Sequence, residues 1–134
     1  MSRQNLKYLI ANMDPVLNPG KYVFSTVKDI DEIPRSITIC EMVEKEGTTV
    51  VLKKEDADRL GLAYNYVAAW ITLNVESDLD AVGLTAAFSN ELAANHISCN
   101  VIAGYFHDHI FVDVKDGQKA LEVLRKMTKN YVVH

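Results

Sequence analysis

Val67-Ala68-Ala69-Trp70-Ile71-Thr72-Leu73-Asn74-Val75 carries an apolar residue at every odd position, while Thr72 and Asn74 point the other way. Successive side chains of an extended backbone alternate between faces, so this stretch reads as a strand with one face in a core. Ser77-Asp78 follows as an N-cap for a helix reaching about Asn95, and Leu84, Phe88 and Leu92, four apart, form its buried stripe. Ile97 to Tyr105 reads as a second strand and His109 to Val114 as a third, joined by a tight turn around His107-Asp108. Lys115 to about Lys129 makes the last helix, with Ala120, Leu124 and Met127 on one face, and Tyr131-Val132-Val133 adds a short edge strand.

Two strand–helix crossovers that leave both helices on one face of an antiparallel sheet give an α+β, ferredoxin-like βαββαβ arrangement. The first half carries a looser version of the same plan. Leu6, Leu9 and Ile10 recur at helical spacing within Gln4 to Asn12, and Asn18-Pro19-Gly20 suits a type II turn. Strands are expected at Lys21 to Val27, Ser36 to Glu44 and Thr48 to Leu52, with a hairpin at Glu46-Gly47. A short helix from Lys54 to Leu60 ends at Gly61. The chain is thus read as two interlocked modules, residues 1–62 and 63–134, the first a degenerate copy of the second.

Hydrophobic residues at 49% and charged residues at 24% are the balance of a folded domain with a real core. A net charge of −4 and the scattering of Lys53, Lys54, Lys119, Arg125, Lys126 and Lys129 among acids or along an amphipathic helix leave no phosphate-neutralising face, so nucleic acid is not an expected partner. Tyr66 to Leu73 is far too short to span a bilayer and the N-terminus has no apolar leader, so a cytoplasmic location away from membrane is expected. Cys40 and Cys99, without C-x-x-C spacing and within apolar runs, read as buried reduced thiols.

From Trp70 to Leu124 the sequence resembles an ACT domain. Trp70-Ile71-Thr72-Leu73-Asn74-Val75 resembles the family's first strand, and Asp80-Ala81-Val82-Gly83-Leu84 its strand-to-helix loop, with Val82 where many members have proline. Leu92 through Ile97-Ser98-Cys99-Asn100-Val101-Ile102 resembles the helix end and second strand. Val82-Gly83-Leu84-Thr85-Ala86-Ala87 and Ala120-Leu121-Glu122-Val123-Leu124 are similar to the aspartokinase-type and tandem amino-acid sensors of that family. The resemblance implies a non-enzymatic regulatory protein whose small-molecule ligand is an amino acid, held where modules meet in a homodimer, with no cofactor.

The physics of the loop agrees with that implication. Amides at a helix start point outward at the positive end of the helix dipole and bind a carboxylate without a basic side chain. Gly83 lets a ligand approach the backbone. Asp78 or Asp80 would accept from an ammonium group, and Asn100 with the backbone of Val101 and Ile102 would read further polar atoms; Ala81, Val82 and Leu84 complete the expected rim. Without a ligand, Asp78 serves as an N-cap and Asp80 as a first-turn acid. Two alternatives stand beside this reading. His107 and His109, two apart on a strand, offer a pair of metal ligands for a small metal-dependent enzyme, although no third ligand follows at metal-like spacing. A ligand-free protein–protein interaction module is the other. No nucleophile elbow, phosphate loop or paired carboxylates mark a catalytic residue. Trp70, on the polar side of its strand, is expected to bury area at a sheet or subunit contact.

Overall fold

The computed structural model describes residues 5–75 and 79–132. Helix α1, Leu6–Ala11, starts at Asn5, whose Oδ1 accepts from the backbone N–H of Lys7 at 2.8 Å and of Tyr8 at 3.4 Å. Strand β1 follows at Pro15–Val27, then 3₁₀ turns at Ile30–Glu32 and Arg35–Ile37, strands β2 at Thr38–Val43 and β3 at Thr48–Lys53, and helix α2 at Lys54–Leu60. Strand β4 is Val67–Leu73, helix α3 Leu84–Ala94, strands β5 and β6 Asn100–Ala103 and Asp108–Asp113, and helix α4 Gly117–Val132.

Backbone proximity divides the chain into two compact units, Gly20–Ala68 and Met1–Pro19 with Ala69–His134. Strands β1 and β4 are each split between them. In the smaller unit the strand order is β2, β3, β1, with the start of β4 next to β1. Residues 22–27 pair antiparallel with 48–53, from Tyr22↔Lys53 to Val27↔Thr48. Val23, Val27, Val50 and Leu52 meet Ala57 of α2 and Ile33 in its core. Where the second module has a long first helix, this one has only the two 3₁₀ turns.

In the larger unit the order is β1, β4, β6, β5. Here β4, β5 and β6 are strands one, two and three of the split βαβ plan, and residues 15–19 of β1 fill the fourth position. Helices α1, α3 and α4 share one core with one sheet face: Leu9, Ile10 and Met13; Leu84, Phe88 and Leu92; Ala120, Leu124 and Met127; and Ile71, Leu73, Ile110 and Val112. Every residue of both expected helical stripes is buried, and the α+β class with helices on one sheet face is as the sequence pattern predicts.

Four local readings are corrected. Asn18-Pro19-Gly20 does not turn the chain: β1 runs through it, with Gly20 at φ +100°. Long-range partners override the turn signal, because residues 22–27 are held by β3 and the Asn18 side chain donates to Trp70 O at 3.2 Å and Thr72 Oγ1 at 3.0 Å. Helix α3 starts at Leu84 rather than near Ser77-Asp78, which lie outside the described residues. The β5–β6 turn is at Gly104–His107, one bond long (Gly104 N–H to His107 O, 2.9 Å), not at His107-Asp108. Tyr131-Val132 continues α4 instead of adding an edge strand; the position beside β4 is already taken by residues 15–19.

Candidate functional site

The loop that leaves β4 enters α3 through Gly83, at φ +98° and ψ −15°. Only glycine occupies that region readily, and as N-cap it has no side chain with which to accept from the first-turn amides of its helix. Its carbonyl takes the first helical bond, from Ala87 N–H at 2.9 Å. A Cβ placed on Gly83 would sit 3.2 Å from Leu6 Cδ2, so α1 packs closely against this point. Leu84 turns into the core, Ala81 leans on it, and Asp80 and Val82 are exposed, Val82 at 85%. Asp80 thus sits in the loop ahead of the helix and not in its first turn. Asp78 lies outside the described residues.

The remaining expected site residues are elsewhere. Eleven residues of α3, about 16 Å at 1.5 Å each, separate Gly83 from the turn that leads to Asn100. Asn100 is exposed, and its Nδ2 donates to Phe111 O at 3.3 Å. Val101 pairs with Ile110 and packs on the helix-side core, whereas Ile102 pairs with His109. Residues 80–84 therefore form one group, and Asn100 stands at the opposite end of α3.

What does lie at the Gly83 end is the β5–β6 turn. Trp70 stacks on Phe111 (centroids 5.9 Å apart, planes 18° apart) and Thr72 meets His109, so β4 and β6 run antiparallel and β4 ends beside Gly104–His107. Tyr105 and Phe106 project from that turn, 81% and 65% exposed, with ring centroids 4.9 Å apart in an edge-on pair. Leu79 is likewise exposed. Sequence reasoning passed over these two aromatics, although adjacent aromatics at a turn are the local signal for them.

His109 bears on the metal alternative. Its Nδ1 lies 3.1 Å from Trp70 Nε1 and 3.2 Å from Thr72 Oγ1. An indole N–H only donates, so Nδ1 presents its lone pair to Trp70 and the ring proton sits on Nε2. In that tautomer neither ring nitrogen holds a free lone pair, so a metal would have to displace the Nε2 proton. Among the described residues no three His, Cys, Asp or Glu side chains converge on a metal-sized site. Burial first, and then the nearby His107, hold the His109 pKa below its ordinary value, against the opposing pull of Asp108; burial raises the Asp108 carboxyl.

Both cysteines are free and partly buried, and burial pushes the Cys99 thiol up to about 11. At pH 8 only about one Cys99 in a thousand would be thiolate. Mass spectrometry after brief iodoacetamide treatment of the folded protein at pH 8 is expected to find Cys99 unlabelled until denaturant is added.

A split βαβ module, present once with a strand–glycine loop–helix entry and once with 3₁₀ turns in place of its first helix, is a ferredoxin-like class of domain. Two ACT-domain family models match the chain in tandem, over residues 2–69 and 66–126, and the chain belongs to the ACT-domain family. It is 45% identical to a crystallised Vibrio cholerae protein of unknown function described as a possible transport protein, over 92% of this chain and 95% of that one, with a TM-score of 0.82. An Agrobacterium tumefaciens protein is 16% identical over 87% of this chain and 89% of its own, with a TM-score of 0.67. The ligand-free regulatory subunit of aspartate kinase from Thermus thermophilus shares the fold at a TM-score of 0.64 and 8% identity, over 87% of this chain and 96% of that one. No curated protein matches the sequence.

Proposed function

We propose that this chain is a non-enzymatic regulatory sensor that binds an amino acid at the entry to α3. The observation that carries the reading is Gly83: a left-handed residue without a side chain, set immediately before the first-turn amides of an eleven-residue helix. Those amides suit an α-carboxylate, and exposed Asp80 three residues earlier suits the α-ammonium group. The ACT family and the regulatory-subunit fold support a ligand-binding role of this kind. Ala81, Val82 and Leu84 frame the loop, and Asp78 would add a second acceptor. Asn100, Val101 and Ile102, at the other end of α3, would contribute only from a second copy of the chain. A homodimer joined along edge strand β5 would supply that copy and satisfy the strand's outward backbone groups. A cytoplasmic setting is part of the same reading; no helix among the described residues is long and apolar enough to cross a membrane.

The test is a thermal-shift screen of the twenty amino acids. A ligand at 100 times its Kd adds about 2.7 kcal/mol of stability, which for a domain of this size raises Tm by roughly 10 °C. A flat response to all twenty would refute the amino-acid reading. The exposed Leu79, Val82, Tyr105 and Phe106 favour a second reading, a docking surface for protein without a small ligand. That alternative gains if the screen is flat while Phe106→Ser alters the sedimentation of the protein at micromolar concentration.

A further inference from the structure

On the sheet face away from α1, α3 and α4, a chain of hydrogen bonds joins three strands. Asn18 of β1 donates to Thr72 Oγ1 at 3.0 Å, and Thr72 Oγ1 and Trp70 Nε1 of β4 both face Nδ1 of His109 on β6, at 3.2 and 3.1 Å. The polarity of that chain is fixed at both ends. The Asn18 amide nitrogen and the indole nitrogen can only donate, so in this arrangement the Thr72 hydroxyl accepts from Asn18 and gives its own proton to His109.

From this geometry we infer that His109 is a proton-operated latch between β4 and β6, closed on Trp70 when the imidazole is neutral and opened when it takes up a proton. Protonation would place an N–H on Nδ1. The Thr72 hydroxyl can rotate and accept from it, but the indole cannot. Two N–H groups would then face each other across 3.1 Å, and the Trp70 bond must be given up. The rings are already in contact, with centroids 5.7 Å apart, so the change reaches the indole directly. It also reaches the β5–β6 turn, because His109 Nε2 lies 3.4 Å from the position a Cβ on Gly104 would occupy.

The groups that face His109 decide the direction. β4 presents Trp70 and Thr72, β1 presents Asn18 and the paired strand β5 presents Ile102, none of which titrates between pH 5 and 8. Its own strand and turn supply the charged neighbours, His107 opposing protonation and Asp108 favouring it, while burial is the largest influence and opposes it. The latch therefore opens below pH 6.5, the ordinary value. In linkage terms, the unfolded chain takes up this proton first as pH falls, so the folded state loses stability downward from about pH 6.5 until the folded His109 is itself protonated. This inference is independent of the ligand at Gly83.

Trp70 is the single tryptophan of the sequence, so fluorescence excited selectively at the indole comes from the latch residue. Between pH 7.5 and 5 the emission of the wild-type chain is expected to fall along a one-proton curve with its midpoint below 6.5, since an imidazolium in contact quenches an indole. His109→Gln offers an acceptor that does not titrate and should abolish the curve, with far-UV circular dichroism establishing that the variant is folded. His107→Gln should move the midpoint upward. Nitrogen-15 spectra of the wild type need no variant: at pH 7.5 they should show the His109 proton on Nε2. A proton on Nδ1 instead, or an unchanged fluorescence curve in folded His109→Gln, would overturn the inference.

Discussion

Phe88→Ala is expected to destabilise the larger unit by about 3–5 kcal/mol, the usual cost of emptying an aromatic site in a close-packed core. Phe88 has no exposed surface and lies between Leu84 and Leu92 on the buried stripe of α3, in one cluster with Ile71, Leu73, Ile110 and Leu124. That cluster is where three helices meet the sheet, so the cavity would be bounded by backbone-anchored residues of several elements that cannot all move inward. Native stability is usually only about 5–15 kcal/mol, and the loss is a large part of it. Urea unfolding followed by circular dichroism measures it: the midpoint should drop while the slope, which tracks the surface exposed on unfolding, stays near the wild-type value. Val82→Ala, six residues earlier and 85% exposed, should change the same midpoint by less than about 0.5 kcal/mol equivalent. A Phe88→Ala cost below 1 kcal/mol would mean that α3 does not lie on the sheet through this stripe.

The same stripe shows why much of the architecture was legible in the sequence. Leu84, Phe88 and Leu92, or Ile71 and Leu73, declare their faces through spacing alone, because burial in a helix or strand has a local period. What was not legible depended on partners far along the chain. Asn18-Pro19-Gly20 has the chemistry of a turn, yet its neighbours are claimed by β3 at residues 48–53 and, through Asn18, by Trp70 and Thr72. Tyr131-Val132 is as compatible with a strand as with the last turn of a helix, and only the presence of residues 15–19 beside β4 decides between them. The candidate site was legible in the same uneven way. Gly83 announces the left-handed entry to α3, because that backbone feature is local. Asn100 was grouped with it by family pattern, and the length of α3 separates the two. The contact of Trp70 and Thr72 with His109, 39 and 37 residues away, follows from strand register, which no single-sequence period reports.

Gly83→Val should be the most damaging single change at the candidate site, and two separable costs account for it. A residue with a Cβ at φ +98° gives up about 1–2 kcal/mol in backbone strain, with β-branched side chains the least tolerant. The new Cβ would also meet Leu6 Cδ2 at 3.2 Å, and the two γ-methyl groups of valine add further crowding, for a total of roughly 2–4 kcal/mol. Gly83→Ala brings the strain and the single Cβ contact with Leu6 but not the crowding of the γ-methyl groups, for about 1–2 kcal/mol. Leu6 is 36% exposed, so Leu6→Ala makes room at modest cost to the core. In that background Gly83→Val should lose its steric part and approach the Gly83→Ala value, while the backbone part persists, and the difference between the two paths round the cycle measures the contact. Unfolding midpoints of the four proteins give every term. Ligand binding supplies an independent axis: if an amino acid docks on the α3 amides, Gly83→Ala should weaken its thermal shift at a temperature where the variant is fully folded, since relief of the strain at φ +98° would re-aim the first-turn amides. A neutral Gly83→Ala, in both stability and binding, would mean that neither the left-handed turn nor the loop at α3 has the role assigned to it.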